Sequence, residues 1–225
     1  MNVVIQCAAR KRSDAGHMRG RDGTPVMFVA DPAHAPRAGD LVYARPDDLA
    51  DDGRTWRDWL LEYNCLPGSN PLSLLPAFEL YRNSAYERLV AKFGIEKVFI
   101  LSAGWGLIPA TFLTPVYDIT FSQNADGYKR RRKSQAYRDL ALLSANSQED
   151  VVFLGGKDYL PLFTALTNNA KGRRVAFYNS MKRPEAPGCT LQRYVTTTRT
   201  NWHYGCAQDL IDGRVGMPGQ HLKPR

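Results

Sequence analysis

Short, unbroken apolar runs of strand length constrain this chain more than any other feature. Val3 to Cys7 (VVIQC), Lys97 to Leu101 (KVFIL) and Val151 to Leu154 (VVFL) lack the polar alternation of a half-exposed strand. Such runs belong to strands covered on both faces, as in parallel sheets. Further strands are predicted near Arg174 to Tyr178 and Leu191 to Thr196, with helices at about 84 to 93 and 159 to 166. The first helix rests on Ser84-Ala85-Tyr86-Glu87, read as a capping box, and on Gly94 at the stop position. Strands alternating with helices predict an α/β three-layer sandwich with a mainly parallel central sheet.

A chain of 225 residues, 44% hydrophobic, is long enough for one full core,. Residues 1–225 are read as a single domain with an insertion at about 20–76, between the first strand and the capped helix. Within it Val26 to Ala30 and Leu41 to Ala44 are candidate strands. Thr55 precedes Trp56, Trp59, Leu60 and Tyr63, an apolar stripe at helical spacing, with Asp58 three residues after Thr55,. Pro67 to Pro76 reads as a loop.

Thirty Lys and Arg against 22 acids give a net charge of +8, which favours a polyanionic partner,. Cys7, Cys65, Cys189 and Cys206 form no C-x-x-C pair, so neither a zinc site nor a disulfide framework is predicted. The basic residues of MNVVIQCAARKR follow a very short apolar run, the reverse of a secretory signal, and no run approaches membrane-spanning length,. A cytoplasmic protein without membrane attachment is expected.

The most suggestive segment is Leu101 to Ile108 (LSAGWGLI), followed by Val116-Tyr117-Asp118. It reads as a strand end opening into a ligand loop, with Ser102, Gly104, Trp105, Tyr117 and Asp118 grouped where open α/β sheets bind ligands. Against this stands a simpler reading: a glycine turn with Trp105 as core filler.

Basic residues fall in two places. Arg10, Lys11 and Arg12 form a loop after the first strand, equally a phosphate contact or a solvated turn. Tyr128 to Lys133 contains Lys129, Arg130, Arg131, Arg132 and Lys133 ahead of Tyr137, Leu140 and Ala141, which read as the apolar face of a helix. Cations at a helix N-terminus oppose the macrodipole, so phosphate contact is favoured over a solvated face.

Gly155-Gly156-Lys157 fails the Walker pattern because Asp158 follows the lysine,. Thr196 to Tyr204 supplies Arg199, Asn201 and His203 for nucleotide contacts, or alternatively closes the sheet as a strand. His203 alone is more often structural than catalytic. Ser-His-Asp hydrolysis lacks its G-x-S-x-G elbow. The remaining set, one placed carboxylate with aromatic platforms, amides and a basic surface, suits N-glycosidic cleavage. A base flipped from a duplex would meet Trp105, Tyr117, Gln6 and Asn201.

The ordered segments VVIQCAARK, FELYRNSAYERL, ILSAGWGLI, TPVYDITF, YKRRRK and VVFLGGKDY span residues 3 to 159. Together they resemble the bacterial YaaA-like proteins and related uncharacterised α/β groups. Val116 stands where those proteins have Pro before Tyr-Asp, with Pro115 one residue earlier, and the 20–76 insertion is this chain's own. The resemblance implies a sheet similar to the uracil-DNA glycosylase fold. It implies an activity like that of phage-defence DNA glycosylases that excise glucosylated hydroxymethylcytosine. Asp118 would be the catalytic carboxylate, Ser102, Trp105 and Tyr117 would line the base pocket, and Cys7 to Lys11 would form the other wall.

The expected function is therefore a DNA glycosylase acting on a modified base in double-stranded phage DNA and leaving an abasic site. No cofactor, metal or obligatory protein partner is expected. Lyase activity would need an amine, Lys11 or Lys157, with a pKa depressed by burial. The rivals are a non-enzymatic DNA-binding stress protein and a deazaguanine-type base transglycosylase.

Overall fold

The computed structural model describes residues 1–219 apart from 38, 67 and 133. The chain begins with β1 (Asn2–Gln6), β2 (Met18–Arg19), β3 (Pro25–Val29), β4 (Val42–Ala44), α1 (Trp56–Cys65) and β5 (Leu75–Pro76). Next come α2 (Ala77–Leu80), α3 (Ala85–Phe93), β6 (Val98–Ser102), β7 (Gly106–Pro109), β8 (Leu113–Thr114) and β9 (Tyr117–Asp118). The remainder forms β10 (Leu140–Ala141), β11 (Val151–Leu154), α4 (Leu160–Leu166), β12 (Arg174–Tyr178), β13 (Thr190–Arg193) and α5 (Trp202–Ile211).

Seven strands make the central sheet in the order β10-β7-β6-β1-β11-β12-β13. From β6 to β13 every neighbouring pair is parallel. The hairpin partner β7 runs antiparallel to β6, and β10 follows β7 in parallel. Val3, Val4, Ile5 and all of β6 and β11 are buried, so the unbroken apolar runs are the strands covered on both faces,. Helices α3 and α5 lie against each other over β1, β6 and β11. Helix α4 packs through Phe163, whose ring stacks on Phe153 of β11 at 4.6 Å. The fold is α/β with a mainly parallel sheet, compatible with a three-layer sandwich.

Residues 20–76 are more ordered than their sequence suggests. Strand β3 pairs with β2, β4 and β9 in a second sheet, and α1 is capped where expected, Thr55 Oγ1 accepting from the Asp58 N–H at 3.1 Å. Trp56, Leu60 and Tyr63 form its buried face. Arg57 joins this segment to the main sheet. Its guanidinium is buried, pairs with Asp47 at 2.6 Å, and donates to the carbonyls of Gly104 and Trp105 at 3.0 Å each.

Three local expectations are corrected. Helix α3 forms, but Ser84 has helical dihedrals (φ −63°, ψ −9°) and makes no cap. The Asn83 side-chain Oδ1 instead accepts from the Ala85 N–H at 2.9 Å. No helix follows the basic run: Leu140 and Ala141 are β10, recruited by β7, so the macrodipole argument for those cations falls away. After β13 ends at Arg193, the Thr196 to Tyr204 segment forms no strand and leads into α5.

Candidate functional site

The Ser102 to Gly106 segment is a tight β6–β7 hairpin, with Ser102 paired to Gly106. Gly106 sits at φ +92°, and a Cβ there would lie 2.4 Å from the Leu140 carbonyl oxygen, so only glycine fits,. Ser102 Oγ accepts from the N–H groups of Gly104 and Trp105 at 3.2 and 3.0 Å and donates to the Tyr117 hydroxyl at 2.9 Å. Trp105 is wholly buried, edge-on to Phe28 at 5.0 Å and under the Arg57 guanidinium. Ser102, Gly104, Trp105 and Tyr117 are thus core residues and do not form a pocket wall. The returning strand turns the indole inward, and β3 and α1 cover it.

Below this hairpin the Tyr117 hydroxyl also meets that of Tyr81 at 2.9 Å, and burial pushes both phenols well above their ordinary pKa. Asp118 extends β9 beside Val29 of β3 and lies 3.1 Å from Lys129 Nζ. Lys129 also contacts Asp126 at 2.9 Å, and the two carboxylates raise its pKa. Lys11 Nζ rests 4.2 Å from the centre of the Tyr117 ring.

The main cavity lies elsewhere. From β1 the chain crosses to β6 on one side, whereas β11, β12 and β13 build outward on the other. The carboxyl ends of β1 and β11 therefore flank a topological switch point, where open α/β sheets leave a crevice. A cavity of about 810 Å³ opens there. Gln6 at the end of β1 and Cys7 and Arg10 just after it line one side, and Gly156, Asp158 and Tyr159 in the segment after β11 line another. The loop 120–124 after β9, Arg82 and Asn83 before α3, and Arg199 to Tyr204 at the start of α5 complete it.

Its walls are tied by polar contacts. Gln6 Oε1 accepts from the Gly156 N–H at 2.6 Å, and Cys7 Sγ lies 3.2 Å from the Tyr159 hydroxyl. The Tyr159 ring stands edge-on to Phe121 at 4.9 Å. Asn201 caps α5 from a left-handed backbone (φ 57°) with its side chain unused in capping. Asp158 is the one carboxylate lining the cavity and has no hydrogen-bond or ion-pair partner among the described residues. His203 is buried at 3% exposure with Nε2 unpartnered, and desolvation lowers its pKa to about 4.

Gln6, Cys7, Asn201, Arg10, Arg199 and His203 are thus brought together, although His203 is a neutral buried ring and not a surface cation. Asp118 and Lys11 stand outside the cavity lining. Arg12 is taken up by Asp14 at 2.5 Å, and Lys157 is exposed beside the cavity. The basic run divides. Arg131 is buried, bonded to Asp139 at 2.5 Å and to the Ala103 carbonyl at 2.9 Å, so it is a structural residue. Arg130 and Arg132 border a smaller recess that shares Phe121, Gln123 and Asp158 with the main cavity. Lys133 lies outside the described residues. Asp158, which in the sequence registers only as the residue breaking the Walker pattern, is the site residue that reasoning missed. Its signal was its position two residues after a glycine pair that follows a strand end.

Among the described residues no His, Cys, Asp and Glu group has metal-binding geometry, and no helix is long and apolar enough to cross a membrane. Comparison with protein-family models, with curated proteins and with solved structures finds no match to this chain.

Proposed function

We propose that the switch-point cavity receives a nucleobase flipped from double-stranded DNA and that the protein hydrolyses its N-glycosidic bond. The observation carrying this reading is Asp158, an unpaired carboxylate in a cavity also lined by amides, aromatic rings and Arg10, Arg82 and Arg199. Amides read base edges, ring faces stack, and guanidinium groups hold the flanking phosphates. In the reaction the C1′–N bond breaks with its electrons passing to the base, and water adds to C1′. Asp158 stabilises the oxocarbenium-like transition state and accepts the water proton. The chemistry needs neither metal nor organic cofactor.

The target in this proposal is a modified base in phage DNA, glucosylated hydroxymethylcytosine, and the resemblance across residues 3 to 159 is what supports it. A sheet similar to that of uracil-DNA glycosylases belongs to the same reading. The cavity volume of about 810 Å³ is consistent with it, being more than a bare pyrimidine fills,. The carboxylate moves from Asp118 to Asp158, because Asp118 is engaged by Lys129 outside the cavity.

The test is excision itself. Purified protein is incubated with duplexes carrying cytosine, hydroxymethylcytosine or glucosylated hydroxymethylcytosine and then treated with alkali. Strand breaks confined to a modified duplex are expected. An absence of breaks on every substrate, with DNA binding retained, would leave a binding protein in place of an enzyme.

A further inference from the structure

The Asp158 carboxylate lines the cavity without a hydrogen-bond or ion-pair partner among the described residues. Its place there is therefore inherited from the segment that carries it, between the end of β11 at Leu154 and the start of α4 at Leu160. Gly155 opens this segment against the Phe153 ring, where a Cβ would lie 2.3 Å from Cζ, and that ring is held by its stack on Phe163 at 4.6 Å. The Tyr159 N–H then donates to the Gly156 carbonyl at 3.0 Å, so Lys157 and Asp158 are the central residues of a turn,.

Two consecutive side chains at the end of β1 hold this turn from outside. Gln6 Oε1 accepts from the Gly156 N–H at 2.6 Å, and Cys7 Sγ lies 3.2 Å from the Tyr159 hydroxyl. One contact falls two residues before Asp158 and the other on the residue after it. Cys7 is itself anchored, because its N–H donates to the Leu101 carbonyl of β6 at 3.0 Å and its side chain is buried. Tyr159 is also buried, its phenol pushed well above the ordinary pKa, so the hydroxyl keeps its proton. The Tyr159 ring meets Phe121 edge-on at 4.9 Å, on the opposite wall.

A thiol is a weak hydrogen-bond partner, so little stability is at stake in the Cys7–Tyr159 contact. Its leverage is geometric. A carboxylate that must meet both C1′ and a water loses rate steeply when displaced, and a shift of about 1 Å can cost ~100-fold.

We propose that Cys7 is a positioning residue, its thiol holding Tyr159 and with it the turn that sets Asp158 against C1′ of the flipped nucleotide. This inference rests on the reading of the cavity as a glycosylase site with Asp158 as its carboxylate. In this role Cys7 acts through Asp158 and takes no part in bond making.

The experiment measures single-turnover excision and duplex affinity on DNA carrying the glucosylated base, with urea unfolding beside them. Cys7→Ala and Tyr159→Phe each break the contact from one side, and each should lower the rate by roughly tenfold while leaving Kd unchanged. Combining them should cost no more than either alone, because both remove the same contact. Cys7→Ser, which keeps a partner for the Tyr159 hydroxyl, should recover most of the lost rate. In an Asp158→Asn background, Cys7→Ala should have no further effect on the residual rate, since the group it positions is gone. Wild-type rates in both Cys7→Ala and Tyr159→Phe would overturn the proposal, and Tyr159→Phe decides it if Cys7→Ala folds poorly. An equal loss from Cys7→Ala with and without Asp158 would also overturn it, because a general loosening of the fold acts that way. Absence of excision by wild type, or wild-type turnover by Asp158→Asn, would instead remove the glycosylase reading or its carboxylate, and this inference with them.

Discussion

The side-chain carbonyl of Gln6 accepts a 2.6 Å hydrogen bond from the backbone N–H of Gly156, tying the end of β1 to the loop after β11. These residues are 150 positions apart, and their contact closes the floor of the switch-point cavity. With the acceptor committed, the Gln6 amide nitrogen has no partner among the described residues and is free to donate to a ligand.

Replacing Gln6 by Glu preserves the acceptor for Gly156 and removes the donor. Global stability should change little, while a donor lost to a bound base costs ~1–3 kcal/mol, roughly 5- to 150-fold in Kd. Denaturant unfolding and titration with modified duplex check the two halves. Gln6→Ala should also lose roughly 1 kcal/mol of stability, because the Gly156 N–H loses its partner.

The basic run should separate by burial. Arg131→Ala leaves Asp139 buried without its cation and the Ala103 carbonyl without its donor, costing about 3–5 kcal/mol,. Arg130→Ala and Arg132→Ala should fold normally and each flatten the salt dependence of DNA binding by roughly one unit of slope. Binding measured from 50 to 200 mM salt, beside melting curves, distinguishes the two classes.

His203 should make stability fall in acid. Desolvation depresses its folded pKa to about 4 from an ordinary value of 6.5, so the unfolded chain takes up a proton that the native protein refuses. The contribution is fully present above about pH 6.5 and is lost as pH falls toward 4, for a total of roughly 3 kcal/mol. Urea unfolding at pH 7 and pH 4.5 should show a drop that His203→Phe diminishes.

How much of this was legible in the sequence follows from which interactions are local. Strands β1, β6, β11 and β12 announce themselves because burial on both faces demands unbroken apolar runs. Helix α1 is legible through its cap at Thr55. The direction of β7 is not local. Ser102-Ala103-Gly104-Trp105-Gly106 suits a ligand loop or a hairpin equally well, and the antiparallel return that buries Trp105 depends on β3 and α1 closing over it. The cavity depends on β1 lying next to β11, a neighbour relation that no segment encodes by itself. Helix α5 escaped because it opens with Trp202, His203, Tyr204 and Gly205, weak helix formers, after an Asn201 in a left-handed conformation,.

Single-turnover base excision by Asp158→Asn and Asp118→Asn variants, on a duplex carrying the glucosylated base, tests the central claim most directly. The switch-point cavity predicts that Asp158→Asn lowers the rate at least ~100-fold, within the 10²–10⁴ range for a lost acid–base group. Asp118→Asn, outside the cavity, should excise at close to the wild-type rate. Wild-type turnover by Asp158→Asn together with loss in Asp118→Asn would contradict the account and return the chemistry to the end of β9.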